Sequence, residues 1–347
     1  MERILGAVKI AIENKASDIH LSVGTPPVVR LNGELIQTQY PPLENAVIEE
    51  FIQEIATPLL IEEYKDKGES DFAHLIFNQR FRVNIFRERG NNAVTMRLIN
   101  TEAPDIDKMG MPEVFKTLSK KKNGLILVTG PTGSGKSTTM AAIINEINKN
   151  ESRHIITLED PIEYIFENNK SLIKQREVNV DTKSFSNGVR ASLRQDPDVI
   201  LVGEMRDFET ISAAVMAAET GHLVISTLHT LGATKTIDRI IDVFPPHQQG
   251  QIRTQLAMVL EGVISQVLLK NITNNGRVAA YEIMLANHAV RNLIREGKTH
   301  QLQNVIQTSG KNGMITMDNY LRNLVTERKV TQEAASEHMV EENVFIG

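Results

Sequence analysis

The sequence predicts an α/β nucleotide-binding core, preceded by a smaller α+β domain and followed by a helical C-terminal region. Three observations carry that fold class. The phosphate-loop pattern Gly130-Pro131-Thr132-Gly133-Ser134-Gly135-Lys136-Ser137 stands between a short apolar run and a helical one. From about Met109 onward, strand-like and helical segments alternate, as in an α/β core. Before Leu98 the pattern is different, with alternating strands and short helices joined by turns.

The elements follow in order. Glu2 to Lys15 places Ile4, Leu5, Val8 and Ile12 at helical spacing. Ser17 to Leu21 begins an alternating strand, Pro26-Pro27 breaks it, and Val28 to Leu31 with Asn32-Gly33 reads as a hairpin. Leu43 to Tyr64 is mostly helical, and Phe81 to Phe86 and Ala93 to Leu98 are strand-like. Residues 1–98 therefore read as one domain with an antiparallel sheet, 99–108 as a linker carrying Pro104 and several acids, and 109–347 as a second domain. Strands are expected there at 124–129, 154–158, 198–202 and 223–227. After about residue 270 the chain is expected to be mainly helical, with Ala289 to Arg295 and Met317 to Val325 as amphipathic pieces.

Composition narrows the function. A chain of 347 residues is long enough for two domains with a sizeable core. The net charge of −5 gives no electrostatic footprint for general nucleic-acid binding. With no cysteine, thiolate zinc sites, disulfides and cysteine nucleophiles are excluded. No apolar run approaches the roughly 20 residues that span a bilayer. The N-terminus lacks the apolar stretch of a secretory signal, so a cytoplasmic protein is expected.

The phosphate loop explains itself position by position. Gly130, Gly133 and Gly135 let successive N–H groups curl around phosphate oxygens, with Pro131, Thr132, Ser134 and Thr138 completing the segment. Lys136 reaches the β- and γ-phosphates, and Ser137 offers a hydroxyl to Mg²⁺. Leu125 to Val128 suits a buried parallel strand before the loop, and the helix after it turns its N-terminus to the phosphates.

Three further strands end in polar groups. Ile155 to Leu158 runs into Glu159, Asp160 and Glu163 around Pro161. Ligands of open α/β sheets sit beyond the carboxyl ends of the strands, where these acids could meet Mg²⁺ or a water; an exposed acidic turn is the plainer alternative. Val199 to Val202 leads to Glu204, the natural acid for Mg²⁺ or its waters. Arg206 and Asp207 after it read as a surface ion pair. Leu223 to Leu228 is bracketed by His222 and His229, whose spacing does not suit a metal. Spacing alone favours a hydrogen-bonded structural role for both, yet in a parallel sheet His229 falls at the phosphate end, where it could sense the γ-phosphate.

In order, Gly-Pro-Thr-Gly-Ser-Gly-Lys-Ser-Thr (130–138), the acidic segment 157–163, Arg-Gln-Asp-Pro-Asp-Val-Ile-Leu-Val-Gly-Glu-Met-Arg-Asp (194–207) and Gly-His-Leu-Val-Ile-Ser-Thr-Leu-His-Thr (221–230) resemble the secretion ATPase superfamily, which powers type II secretion and type IV pili. They correspond to its P-loop, Asp box, Walker B and His box, and the resemblance covers essentially the whole chain. Within the superfamily the chain resembles the pilus retraction ATPases. Its length suits a single small N-terminal domain. It cannot carry the four-cysteine zinc motif typical of pilus assembly ATPases. Ala289 to Glu296 resembles the Ala-Ile-Arg-Asn-Leu-Ile-Arg-Glu segment associated with retraction, with Val290 in place of Ile. An accessory retraction paralogue stays open.

The resemblance implies an α/β RecA-like P-loop ATPase core with an α+β PAS-like N-terminal domain and a helical C-terminal region, assembled as a homohexamer. It implies ATP and Mg²⁺ as cofactors, with Ser137 and Glu204 at the metal. It implies Glu163 as the group that orients or deprotonates the attacking water, alongside Lys136, Glu204 and His229. Arg82, Arg87 and Arg97 lie in or beside predicted strands and could reach the nucleotide, Arg82 and Arg97 being the leading candidates. The implied partner is an inner-membrane pilus platform protein, with the motor peripheral to the inner face of the membrane. A nucleic-acid translocase could share such a core, but the acidic charge, the lack of Trp and the few Tyr weigh against it. An ATP-binding scaffold without turnover is opposed by the joint presence of Lys136, Glu163 and Glu204.

Overall fold

The structure is a computed structural model that describes residues 1–31, 33–99, 102–273 and 276–339. The chain divides into two compact units. One comprises Met1–Glu102 together with Pro161–Ile165; the other is the remainder from Ala103 onward.

The first unit opens with α1 (Glu2–Glu13) and continues through β1 (Asp18–Leu21), β2 (Val28–Leu31), β3 (Glu34–Gln37), α2 (Asn45–Ile55), α3 (Pro58–Lys67), β4 (Glu69–Ile76), β5 (Gln79–Glu88) and β6 (Asn91–Leu98). All strand pairs are antiparallel, in the order β3-β2-β1-β6-β5-β4. The β2–β3 hairpin forms as the sequence predicts, although its Asn32 lies outside the described residues. Ile4, Val8 and Ala11 of α1 and Ile48, Phe51 and Ile52 of α2 bury against Ile19, Leu21, Phe81, Val83 and Ile85 of the sheet. The helical spacing of the first set and the alternation of the second make one face of each element apolar. Thr57 starts α3 by accepting from Leu60 N–H, and Gly68 ends it at φ +83°.

The second unit contains α4 (Val114–Ser119), β7 (Gly124–Thr129), α5 (Lys136–Asn150), β8 (His154–Glu159), β9 (Leu172–Glu177), α6 (Phe185–Ser192), β10 (Val199–Val202), α7 (Phe208–Glu219), β11 (Leu223–Leu228), α8 (Ala233–Asp242), α9 (Gln249–Val259), β12 (Leu260–Lys270), β13 (Arg277–Leu285), α10 (His288–Arg295), α11 (Leu302–Thr308), α12 (Met317–Thr326) and α13 (Gln332–Ser336). Its seven-stranded sheet runs β13-β12-β7-β11-β10-β8-β9, with every pair parallel except β12–β13. Both faces are covered: Leu125 and Leu127 of β7 enter one core, Ile126 and Val128 the other. Burial on both faces is why the central strands β7 and β10 are apolar runs.

Two expectations are corrected here. β9, β12 and β13 were not foreseen, and the chain after residue 270 does not turn helical until α10. The segment Arg277–Leu285 is rich in residues that tolerate a helix, and its strand state is imposed by nine paired positions along β12. The sequence also assigns residues 161–165 to the second domain, whereas they cluster with the first unit. Their departure from β8 coincides with Pro161, which cannot donate a ladder hydrogen bond.

Candidate functional site

The phosphate loop leaves β7, whose six residues are all buried. Gly130, Gly133 and Gly135 have φ of +146°, +78° and +87°, a region L side chains rarely adopt. At Gly130 a side chain is also excluded by space: a Cβ would lie 2.2 Å from the carbonyl oxygen of Gln266 on β12. Lys136, only 9% exposed, opens α5 and donates from Nζ to the Gly130 and Pro131 carbonyls, at 2.9 Å each. No side chain caps α5, and the N-terminus of such a helix is a favourable place for an anion. Ser137 sits half-buried in that first turn.

Glu204 follows β10. Gly203 N–H donates to Leu158 O at 2.8 Å and Met205 N–H to Thr227 O at 3.0 Å, pinning this segment to both neighbouring strands. Its Oε2 lies 2.7 Å from Arg206 Nε and 3.3 Å from His229 Nε2. The other ring nitrogen of His229, Nδ1, lies 3.5 Å from Thr132 Oγ1 at the tip of the phosphate loop. The imidazole thus stands between the loop and the Walker B acid, and parallel pairing of β11 with β7 and β10 puts it there. An adjoining cavity of about 580 Å³ is lined by Thr132, Arg206, His229, Thr230 and Arg239 among others. Arg206 and Asp207 do not form the ion pair read from the sequence. Arg206 pairs with Glu204, while Asp207 caps α7 through Thr210 N–H at 2.7 Å.

The donor set suits Mg²⁺. One hydroxyl (Ser137) and one carboxylate (Glu204) leave the remaining octahedral positions for water and phosphate oxygens, the arrangement this ion prefers. No group of three or more acidic or histidine ligands occurs among the described residues, so a fully protein-ligated metal has no candidate there.

Glu163 falls in the first unit, where Arg82, Arg97, Glu163 and Tyr164 line a cavity of about 180 Å³. Arg82 and Arg97 are direct partners across β5 and β6. Like charges in such a pair are unfavourable unless anionic groups offset them. Asp18 supplies one, accepting from Arg97 Nε at 2.9 Å, and Asp71 lies 3.9 Å from Arg82 Nε. Burial opposes ionisation of Asp18, but hydrogen bonds from Ser17 and Arg97 outweigh it and hold its carboxyl below the usual 3.8. Arg87 is not part of this group; its guanidinium stacks over the Tyr64 ring at 5.7 Å. Of the acids at the end of β8, Glu159 is taken up by Thr157 Oγ1 and Gln175 Nε2, at 2.6 and 3.1 Å.

The 289–296 segment forms α10, with Val290 and Ile294 buried and Leu293 packed beside them. Arg291 is structural as well. It donates to Ala286 O, Ala257 O and Met258 O and pairs with Glu261 Oε1 at 2.8 Å. Sequence reasoning also missed Gln266 and Glu282, both buried polar residues in β12 and β13. The only sequence signal for the former is the Ser265-Gln266 interruption of an apolar run.

The family model described as type II/IV secretion system protein matches residues 2–343. The chain belongs to this family. Among its relatives, the type IV pilus retraction ATPase PilT of Pseudomonas aeruginosa is 47% identical over 93% of this chain and 94% of its own. The type IV pilus ATPase PilU of the same species is 36% identical over 95% and 87%. The crystal structure of the pilus retraction motor PilT with bound ADP superposes with a TM-score of 0.91, at 46% identity, covering 98% of this chain and 97% of that one. As a secretion-system ATPase of the PilT type, the chain has an α/β ATPase core whose loop, acid and histidine meet as described, preceded by an N-terminal domain.

Proposed function

We propose that this ATPase powers retraction of a type IV pilus as a homohexamer. In this reading the loop amides and Lys136 hold the phosphates of ATP. Ser137 and Glu204 would hold Mg²⁺, which would offset the charge of the phosphates. His229 reports the state of the loop to Glu204. Glu163 orients or deprotonates the attacking water, and Arg82 or Arg97 stabilises the transferring phosphoryl group. Loss of that contact after hydrolysis releases the two domains to reorient. The motion is delivered to an inner-membrane platform protein, with the motor on the cytoplasmic side and no nucleic acid involved. No helix among the described residues is long and apolar enough to cross a membrane.

The observation that best supports this reading is the His229 bridge between Thr132 and Glu204, which joins three of the motifs in one site. The higher identity to PilT than to PilU supports the principal motor over the accessory one. The test pairs phosphate release with sedimentation: activity per subunit should rise with concentration and track the hexamer. Cells lacking the protein should accumulate surface pili that do not retract. A fully active monomer refutes the ring, and normal retraction without the protein refutes the role.

A further inference from the structure

Gln266 is completely buried, a position that exacts partners for both ends of a carboxamide. It has them. Oε1 accepts from Thr139 Oγ1 at 2.7 Å, and Nε2 donates to the Ser134 carbonyl at 2.5 Å. Its location follows from register. β12 runs parallel to β7, with Ser265 opposite Thr129, so the next residue on β12 lies beneath the loop that leaves β7. The close approach of Gly130 and Gly135 to Gln266 agrees: a Cβ on Gly135 would stand 3.1 Å from Nε2.

The consequence is directional. In a trans peptide the carbonyl and the following N–H point opposite ways. A donor that holds the Ser134 carbonyl on the β12 side therefore turns the Gly135 N–H to the other side, where the loop would receive a phosphate. Gly135, at φ +87°, belongs to the residue type least able to hold that plane by itself. The amide's own orientation is fixed from behind. Thr139, whose hydroxyl donates to Oε1, sets which end of the carboxamide faces it, and Tyr281 is paired with Gln266 across β12 and β13. Edge-to-face contacts with Phe115 and Tyr320, centroids 5.2 and 5.4 Å away, hold the tyrosine ring.

We propose that Gln266 is a positioning residue for nucleotide binding, holding the Ser134–Gly135 peptide with its N–H turned to the phosphate, and that Thr139 fixes the face its amide presents. The proposal rests on the reading that this loop binds ATP. Gln266→Glu keeps an acceptor for Thr139 and nearly the same shape, but loses the donor to Ser134. Gln266→Met keeps the volume and loses both bonds. The experiment measures ADP affinity by calorimetry, KM and kcat for ATP, and the melting midpoint of the nucleotide-free hexamer.

Both variants should weaken ADP binding and raise KM by about five- to tenfold, the scale of one hydrogen bond. kcat should change less than about threefold, because no reacting atom is touched. Thr139→Val, which leaves Gln266 in place but removes the donor to its Oε1, should produce a smaller shift in the same direction. If the variants melt earlier while folded protein binds ADP with unchanged affinity, Gln266 is only a packing residue and the proposal fails. It fails equally if neither variant folds, or if kcat falls while KM holds. Failure of the wild-type protein to bind ADP would instead remove the nucleotide reading itself.

Discussion

Arg291→Ala should destabilise the protein, although the segment around it looks like a surface device when read as sequence. Arg291 is 23% exposed, and four of its contacts are hydrogen bonds, to three carbonyls and the Glu261 carboxylate. Two of those carbonyls, Ala257 and Met258, belong to the last turn of α9, where a cation also meets the negative end of the helix dipole. A hydrogen bond to a charged group is worth about 1.5–3 kcal/mol, but the bonds share one side chain and water can reach part of the space left behind. Glu261 also keeps Lys121, 2.6 Å away, so it is not stranded. The net loss should be about 2–4 kcal/mol, and the midpoint of the ATPase unit should fall by roughly 5–12 °C. Differential scanning calorimetry on the purified protein measures this. Exposed Arg295 on the same helix is the control, and Arg295→Ala should shift stability by less than about 0.5 kcal/mol while sparing ATPase activity. If that segment couples the motor to the pilus, Arg295→Ala should be the variant that loses retraction without unfolding. Arg291→Ala melting with the wild type would refute the structural role.

Glu163→Gln should retain ATP binding and lose turnover by about 10²-fold or more, whereas Lys136→Ala should lose both; normal phosphate release in Glu163→Gln would remove the base assignment. Gly130→Ala should abolish nucleotide binding, because its methyl would meet the Gln266 carbonyl at 2.2 Å and its φ is +146°; ADP calorimetry checks it, and intact affinity would refute the close approach. Asp105 is held down to about 2 by its hydrogen bond with Lys149 and by the Lys108 and Asp107 N–H groups. A carboxyl depressed in the folded state stabilises above its unfolded value of 3.8 and loses that contribution as the pH falls toward 2. Urea midpoints of Asp105→Asn should therefore fall less steeply with acid across that window than those of the wild type, and identical slopes would count against the pairing.

The sequence by itself determined what depends on neighbours along the chain. The phosphate loop is legible because eight consecutive residues hold its whole geometry, and the glycines, Lys136 and Ser137 act from fixed offsets. The apolar runs of β7, β8, β10 and β11 were legible because burial on both faces leaves little but apolar residues and small hydroxyls such as Thr157, Ser226 and Thr227 within them. Even the separation of Arg87 from Arg82 follows from alternation, since an odd interval places two strand residues on opposite faces. Tertiary structure decided what depends on pairing across the chain. Whether Arg277–Leu285 became strand or helix rested on β12, and Gln266 reached the phosphate loop only because β12 lies beside β7 in a particular register. Glu163 joined Arg82 and Arg97 in one cavity, and Arg291 found α9, through contacts that span dozens of residues. Local spacing carries no record of such contacts, because a residue's distant partners are chosen by the packing of whole elements rather than by its neighbours in sequence.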